Sequence, residues 1–304
     1  MNKKYLFIVN PIAGKGKTGK LIDTLRMLIN NNKLDYKILK TVSRGHIDSI
    51  IEENKQIFDR FIIVGGDGTA HDLINSKSIT DVICGIIPTG SGNDYAMTLK
   101  MKKSLEENLE VILKDNVSHL DIGFAEIENQ DGRKLIAKFA NSIGIGFDAA
   151  VAAGAQSITF ISGLPLYLLS VFKNVISYQM THFTVDADDF KYSDIAFMLA
   201  VGIGKTAGGG FRLTPDAEAD DGLLDFCLIK KVNKLEAVIN LLPRAIIGKH
   251  INSFRVIYRK SSKLSVSIKS PLYVHADGEI LTNNLKELKI SILQKKLRII
   301  SNWS

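Results

Sequence analysis

The chain has 304 residues, of which 45% are hydrophobic and 23% are charged, and its formal net charge is +7. This length suits two ordinary globular domains, and no window of about eighteen residues is both uncharged and strongly apolar, so no transmembrane helix is expected. Two cysteines inside apolar runs are a poor basis for a disulfide framework and fit a reducing compartment. The apolar run at 5–9 is too short for a signal peptide, which predicts a cytoplasmic protein. The basic excess suits an anionic membrane or a polyphosphate, whereas nucleic acid is not expected, because no basic run is interleaved with aromatic residues.

Strand-like and helix-like patterns alternate in the N-terminal third. Strands are predicted at 5–9, 35–39, 61–64 and 82–88, and helices near 20–31 and 47–54. Glycine-rich stretches follow Val9, Val64 and Pro88. Parallel strands joined by helices bind ligands beyond their carboxyl ends, so we expect one nucleotide-sized cleft to unite these stretches. The pattern predicts an α/β domain over residues 1–117.

Beyond residue 117 the sequence is rich in short β-type runs. They lie at 120–126, 135–141, 183–185, 195–201, 223–229, 264–268 and 288–293, with helical patterns at 164–178 and 234–247. These runs predict a second, mainly antiparallel β domain over residues 118–295. The closing residues 296–304 are expected to return to the first domain as a strand.

The strongest local motif lies between the apolar strand at 61–64 and a helical run. It consists of Gly65, Gly66, Asp67, Gly68 and Thr69. Glycines let backbone amides approach phosphate oxygens, the helix N-terminus supplies unpaired N–H groups, and Asp67 has the chemistry to bind a metal ion on those oxygens. The motif is typical of a triphosphate-binding loop, and a purely structural turn is the less favoured alternative.

Two further turns follow predicted strands. Residues 88–96 read Pro-Thr-Gly-Ser-Gly-Asn-Asp-Tyr-Ala, in which Asn93 or Asp94 either caps a helix or contributes to phosphate and acceptor binding. In the second case Asp94 would bind the acceptor hydroxyl or a metal. Residues 10–17 superficially resemble a Walker loop, but Gly16 and Lys17 follow Gly14 too closely for that motif. We therefore exclude a Walker ATPase.

Together the three turns resemble the diacylglycerol kinase catalytic-domain family, in particular the small soluble bacterial lipid kinases related to diacylglycerol kinase and sphingosine kinase. The family pattern has Asn-Pro after the first strand, then Gly-Gly-Asp-Gly-Thr, then Pro-x-Gly-Thr-x-Asn-Asp-Phe-Ala. The chain departs from it mildly, with Ser91 for Thr and Tyr95 for Phe. The resemblance covers nearly the whole chain. It implies an N-terminal nucleotide-binding domain of the phosphofructokinase and NAD-kinase type and a β-sandwich C-terminal domain.

The resemblance also implies the residues that bind ATP, the phosphate donor, and its magnesium ion. ATP contacts are implied for Asn10, Pro11, Thr41, Gly65, Gly66, Asp67, Gly68, Thr69, Gly90, Ser91 and Asn93. Asp67 and Asp94 are implied to organise magnesium and phosphate during catalysis. His46, in a Thr…His pattern with Thr41, is by itself more typical of a helix start.

The acidic segment 215–225 follows a glycine-rich stretch at 208–211 and resembles a family segment. The resemblance implies a structural magnesium ion between the domains, bound by Glu218, Asp221 and the carbonyl of Leu223, because hard divalent ions prefer oxygen ligands. Many relatives have Asp where this chain has Glu218. A solvated acidic turn before a strand is the alternative.

A His-Ala-Asp-Gly-Glu motif ends at Glu279. From spacing alone, a hairpin turn at Asp277 and Gly278 is the favoured interpretation. The resemblance instead places the catalytic base on Glu279, where a carboxylate would accept the proton of the acceptor hydroxyl during in-line transfer.

The segment 164–176 is apolar on nearly all sides, which usually indicates a buried helix. The alternative is an apolar wall for acyl chains. Basic residues that would meet anionic headgroups flank it, namely Lys173, Arg244, Lys249 and Arg255.

The resemblance therefore implies an ATP-dependent lipid kinase, with diacylglycerol as the leading acceptor and phosphatidic acid as its product. Expected partners are ATP, a membrane lipid and a second copy of the chain in a homodimer. The protein is also expected to contact the inner membrane face transiently, as a peripheral protein. One alternative is an NAD-kinase-like small-molecule kinase, because Gly-Gly-Asp-Gly-Thr also occurs in NAD kinases and phosphofructokinases. The other is a catalytically silent nucleotide-binding regulatory protein, against which the retained carboxylates argue.

Overall fold

The computed structural model describes residues 3–156 and 164–303. The chain forms two compact units, one of residues 1–120 and 295–304 and the other of residues 121–294. The sequence analysis placed these boundaries at 117/118 and 295/296. The chain leaves the first unit within strand β5 (Val117–Asn129) and returns to it within strand β15 (Leu285–Ile300).

The first unit alternates strands and helices. Its elements are β1 Lys4–Val9, α1 Lys17–Lys20, α2 Ile22–Asn31, β2 Asp35–Lys40, α3 His46–Asn54, β3 Arg60–Gly65, α4 Asp67–Ile74, β4 Ile83–Pro88, α5 Asp94–Thr98 and α6 Leu105–Lys114. The strands pair in parallel in the order β2-β1-β3-β4, and Arg298–Ile300 of β15 adds to β4, also in parallel. Arg298–Ile300 therefore form a strand of the first unit's sheet.

The core of the first unit explains why its strands were recognisable. From Tyr5 to Val9 every residue of β1 is buried, and β3 is buried from Phe61 onwards. Strands covered on both faces carry continuous apolar runs rather than alternating ones. Ile22, Leu25 and Ile29 from α2 pack against them at helical spacing.

The second unit is mainly antiparallel. Its further elements are β6 Lys134–Phe139, β7 Ser142–Gly146, α7 Phe147–Gln156, α8 Leu164–Ser177, β8 Thr181–Ala187, β9 Phe190–Gly202, β10 Leu224–Lys230, α9 Lys234–Glu236, a π-helical turn Ala237–Leu241, α10 Leu242–Ile246, a 3₁₀ turn Lys249–Asn252, β11 Val256–Ser261, β12 Lys263–Ile268, β13 Val274–Ala276 and β14 Glu279–Thr282. Strand order is β14-β13-β7-β9-β8-β12-β15, while β10 pairs with β9 and β11, and β5 with β6. The predicted division into an α/β half and an antiparallel half is confirmed.

Helix α8 packs with α7 over an apolar core that includes Phe147, Phe197 and Phe211. Val171 and Val175 of α8 are buried in this core, whereas Phe172 is 53% exposed. The predicted segment 164–176 is therefore a helix with a buried side, although the side chains of 164–167 and 176 lie outside the described residues. Over the part of the chain that is described, no helix is long and apolar enough to cross a membrane.

Candidate active site

The three glycine-rich turns meet at the carboxyl edge of the parallel sheet. We call them the first turn (residues 10–17), the second turn (residues 65–69) and the third turn (residues 88–96). The backbone N–H of Asn10 donates to the Val64 carbonyl at 3.0 Å, and the backbone N–H of Thr89 donates to the Gly65 carbonyl at 2.8 Å. The Asn10 side chain also donates from Nδ2 to Thr69 Oγ1 at 3.0 Å. The parallel register thus brings three segments of distant sequence together, as expected for such a sheet.

Glycine is required where the turns touch. A Cβ on Gly90 would lie 2.6 Å from the Cα of Gly66 and 2.8 Å from Asn93 Oδ1, and a Cβ on Gly66 would lie 3.0 Å from the Cα of Gly90. The first turn approaches just as closely, because a Cβ on Gly14 would meet the Thr89 carbonyl oxygen. These obstacles are largely backbone atoms, so any larger residue would separate the turns.

Asp67 links the second turn to the third. Its Oδ2 accepts the backbone N–H of Asn93 at 2.7 Å, and Oδ1 faces the N–H of Tyr95 at 3.4 Å. Asn93 adopts a left-handed conformation (φ 55°), and its side chain closes its own turn by bonding to the N–H and carbonyl of Gly90. The sequence suggested that Asn93 or Asp94 caps this helix, but Asp67 from the second turn supplies the cap instead. A carboxylate is stabilised there by the unpaired N–H groups and the dipole of the helix N-terminus.

The remaining predicted ATP residues lie on the same edge. The Thr41 amide donates to the Val9 carbonyl at 2.9 Å, and Ser91 is exposed in the third turn. Asp94 is buried at the start of α5. His46 begins α3, and its Nδ1 accepts the N–H of Val42 at 3.2 Å, so it fastens the loop after β2.

Glu279 lies in the second unit at the start of β14. A two-residue turn, Asp277-Gly278, joins β13 to β14, and both residues have positive φ (51° and 86°), as in a type I′ hairpin. The predicted hairpin is therefore present, and Glu279 is half-buried opposite Ala276. A hairpin of this type holds the carboxylate on a short, defined element.

The Asp277 carboxylate fixes this hairpin to the neighbouring backbone. Its two oxygens accept the N–H groups of Ala140, Asn141 and Ser142 at 3.0, 3.0 and 2.9 Å, and its own N–H donates to the Ser142 carbonyl at 2.8 Å. Asp277 thus satisfies the buried amides that lead into β7.

His275 and Asp148 form a buried pair beside the same hairpin. The Gly278 N–H donates to His275 Nδ1 at 3.2 Å, so the ring carries its proton on Nε2 and donates it to Asp148 Oδ2 at 2.8 Å. A Cβ on Gly144 would collide with both side chains, so glycine is needed at that point of β7. This pair orients the turn before Glu279.

The acidic segment is held by a lysine. Lys260 Nζ contacts Asp221 Oδ2 at 2.7 Å and Asp225 Oδ2 at 3.5 Å, while Tyr258 donates to Asp225 Oδ1 at 2.6 Å. Burial raises the pKa of the Asp225 carboxyl above its ordinary value, although Tyr258 and Lys260 favour its ionised form. Burial opposes the charge of Lys260, but the carboxylates of Asp221 and Asp225 more than offset it and raise the pKa of Lys260.

The predicted structural magnesium ligands sit on this segment. Glu218 and Asp221 are exposed, and Asp221 Oδ1 accepts the N–H of Leu223 at 2.9 Å. Among residues 3–156 and 164–303, no three His, Cys, Asp or Glu side chains are grouped to hold a metal ion. The predicted set contains two carboxylates and a carbonyl, and its magnesium ion stays a prediction.

An apolar cavity lies in the core of the second unit. It is partly open to solvent, and residues from α8, β9 and the 237–245 helical turns line it, among them Val171, Phe197 and Leu241. His250 is fully buried in its wall, with Nε2 3.3 Å from the Leu213 carbonyl. Burial lowers the pKa of His250 to about 4, so its ring is neutral and the cavity carries no charge at neutral pH.

Family models match both halves of the chain. The diacylglycerol kinase catalytic domain matches residues 4–125, and the YegS C-terminal NAD kinase beta sandwich-like domain matches residues 141–301. The chain belongs to the diacylglycerol kinase catalytic-domain family. This membership makes it part of a lipid kinase family and confirms the expected fold, including the sandwich-like second half.

Individual relatives agree over nearly full length. A diacylglycerol kinase of Staphylococcus saprophyticus is 23% identical over 95% of this chain and 94% of its own. A crystal structure of a diacylglycerol kinase from Bacillus anthracis superposes with a TM-score of 0.73 at 23% identity, covering 99% of this chain and 97% of that one. Yeast NADH kinase, in complex with NADH, is similar in fold alone, with a TM-score of 0.54 at 11% identity over 98% of this chain and 83% of that one.

The structure also reveals residues that the sequence analysis did not select. Asp148 and His275 are buried, Lys260 is exposed, and the partners of all three lie far away in sequence. The role of Asp277 as an acceptor of three amides was likewise not anticipated. The sequence contains no local signal for these roles, since each depends on a contact between segments that are distant in sequence.

Proposed function

We propose that this member of the family is an ATP-dependent lipid kinase that transfers the γ-phosphate of ATP to the hydroxyl of a membrane lipid, with diacylglycerol as the acceptor. The observation that carries the choice of a lipid is the apolar cavity of the second unit. A pocket lined mainly by apolar side chains is the usual kind of small-ligand site, and an uncharged wall suits a hydrocarbon chain.

ATP binding is assigned to the three turns of the first unit. Backbone amides of the second and third turns lie at a sheet edge where glycines keep Cβ atoms out, an arrangement suited to phosphate oxygens. The exposed apolar side chains of Ile12 and Val42, on loops that follow the adjacent strands β1 and β2, are suited to the adenine ring.

Asp67 and Asp94 are the carboxylates we assign to a magnesium ion bound with ATP. Hard oxygen donors are the ligands that this ion prefers, and when bound it neutralises negative charge on the transferring phosphoryl group. In addition, Asp67 fixes the third turn against the second through Asn93, so the two turns are positioned before the nucleotide arrives.

Glu279 is assigned the role of general base. As the acceptor oxygen forms its bond to the γ-phosphorus, the bond from that phosphorus to the oxygen of the leaving ADP breaks, and the Glu279 carboxylate takes the hydroxyl proton. Asp277 and the His275–Asp148 pair support this role by fixing the turn that precedes Glu279.

The proposal is tested by incubating the purified protein with ATP and magnesium, once with a total lipid extract and once with NAD. Mass spectrometry of the products identifies any phosphorylated acceptor. We expect phosphorylated diacylglycerol in the lipid sample and no product from NAD. Phosphorylation of NAD alone would refute a lipid acceptor, and no product in either sample would support a silent regulatory protein.

A further inference from the structure

The helical segment 234–246 has one face in the protein core and another in solvent. Ala237, Leu241 and Ala245 are spaced four residues apart, are buried and line the apolar cavity. On the outer side, Leu235 and Ile239 are 66% and 61% exposed. Packing against the core explains the apolar residues on the inner face of this segment but not those on its outer face.

The outer apolar residues continue beyond the helix. Ile247 and Phe254 are 57% and 73% exposed, and the Arg255 guanidinium lies 4.7 Å from the centre of the Phe254 ring. Arg255 also bonds to Glu236 at 3.2 Å, which ties Phe254 to the start of the helical segment. We call this set the 231–255 surface; its apolar members are Leu235, Ile239, Ile247 and Phe254. Large apolar side chains exposed together on one segment are typical of interaction sites.

The charge of the 231–255 surface is positive. Lys231, Arg244 and Lys249 are exposed and form no ion pair with any described residue. The acidic residue within the range, Glu236, is already paired with Arg255. Cations around exposed apolar side chains complement a surface that is anionic outside and apolar beneath, which is the chemistry of a bilayer with anionic headgroups.

We infer that the 231–255 surface docks the protein on an anionic lipid bilayer, with the apolar side chains inserted among the acyl chains and the cations against the headgroups. The inference rests on the proposed function, because the same helical segment lines the cavity that we assign to the acyl chains of the acceptor. Docking through its outer face would place that segment at the membrane from which the acceptor comes.

The test measures cosedimentation of the whole protein with vesicles, without ATP. One set of vesicles contains phosphatidylcholine alone, and the other an equimolar mixture with phosphatidylglycerol. One variant combines Leu235→Gln with Ile239→Gln, and a second combines Arg244→Glu with Lys249→Glu. The matched control is Ile136→Gln with Lys134→Glu, which changes an exposed apolar residue and an exposed lysine on β6.

We expect the wild type and the control to bind the anionic vesicles more tightly than the neutral ones. Each cation removed should lower the partition coefficient about fivefold, and reversal of its charge should lower it further. The apolar variant should lose binding to both kinds of vesicle. Phosphorylation of diacylglycerol in neutral detergent micelles should stay at the wild-type rate in every variant, because docking is not needed there.

Equal vesicle binding by wild type and both variants would overturn the inference. The inference would also be overturned if sedimentation velocity showed a wild-type dimer and monomeric variants that still bind vesicles. The surface would then be a subunit interface. Failure to phosphorylate any lipid would refute the proposed function alone, because vesicle binding is measured without turnover.

Discussion

The Asp277→Ala substitution tests how the hairpin before Glu279 is held. Its carboxylate accepts three N–H groups from Ala140, Asn141 and Ser142, residues that are only 2%, 2% and 5% exposed. A hydrogen bond to a charged group contributes about 1.5–3 kcal/mol, but the bonds share two oxygens and Asp277 itself is half-buried, so water replaces part of the loss. We therefore expect Asp277→Ala to destabilise the fold by about 3–5 kcal/mol.

The assay is urea unfolding followed by circular dichroism, combined with hydrogen exchange at the three amides. The matched variant Asp277→Asn keeps a residue that tolerates the positive φ and retains one acceptor oxygen, so about half of the loss is expected. Exchange at residues 140–142 should accelerate in Asp277→Ala, and phosphoryl transfer should fall because Glu279 follows the turn. Stability within about 1 kcal/mol of wild type, with the amides still protected, would refute the reasoning.

Three further predictions concern the turns, the cavity wall and the acidic segment. Gly90→Ala should weaken ATP binding in calorimetry at least about tenfold, because the new Cβ forces the third turn away from Gly66. The pKa of His250 is about 4 in the folded protein and about 6.5 in the unfolded chain, so its contribution to stability is present above pH 6.5. As the pH falls towards 4, the free energy of unfolding should decrease by about 3 kcal/mol. Thermal unfolding of His250→Gln should not show this decrease. Lys260→Met should lower the free energy of unfolding, measured in urea at neutral pH, by about 1–3 kcal/mol, because two carboxylates lose their cation. The decrease should be smaller at acid pH, where Asp225 becomes protonated.

Each of these predictions has a contrary outcome. Equal ATP affinity in Gly90→Ala would mean that contact between the turns does not shape the nucleotide site. An unchanged pH slope in the His250 variant would show that another group titrates between pH 4 and 6.5. A Lys260→Met protein more stable than wild type would show that desolvation of the ammonium outweighs its ion pairs.

The sequence predicted the parallel half of the fold well because its signals are local. Each buried strand is a continuous apolar run followed by a turn that contains glycines, and parallel pairing then forces the three turns to one edge. The hairpin at Asp277 and Gly278 was likewise recognisable, since a type I′ turn favours those two residue types.

The contacts that position the candidate site were not predictable in the same way. That Asp67 accepts the backbone N–H of Asn93 depends on how closely Gly66 and Gly90 approach each other. The partners of Asp277 lie more than a hundred residues away in sequence. The apolar cavity depends on which side chains of separate helices and strands pack together. Sequence periodicity predicts only which face of each helix or strand is apolar.

The central claim is phosphoryl transfer to a lipid hydroxyl with Glu279 as the base. It is tested most directly by incubating wild type and Glu279→Gln with radiolabelled ATP, magnesium and diacylglycerol micelles and measuring label in the extracted lipid. We predict labelled phosphatidic acid from the wild type and a rate lower by about 10²–10⁴ in the variant, which keeps the shape of the side chain but cannot take a proton. Unlabelled lipid with the wild type, or equal rates for the two proteins, would contradict the account.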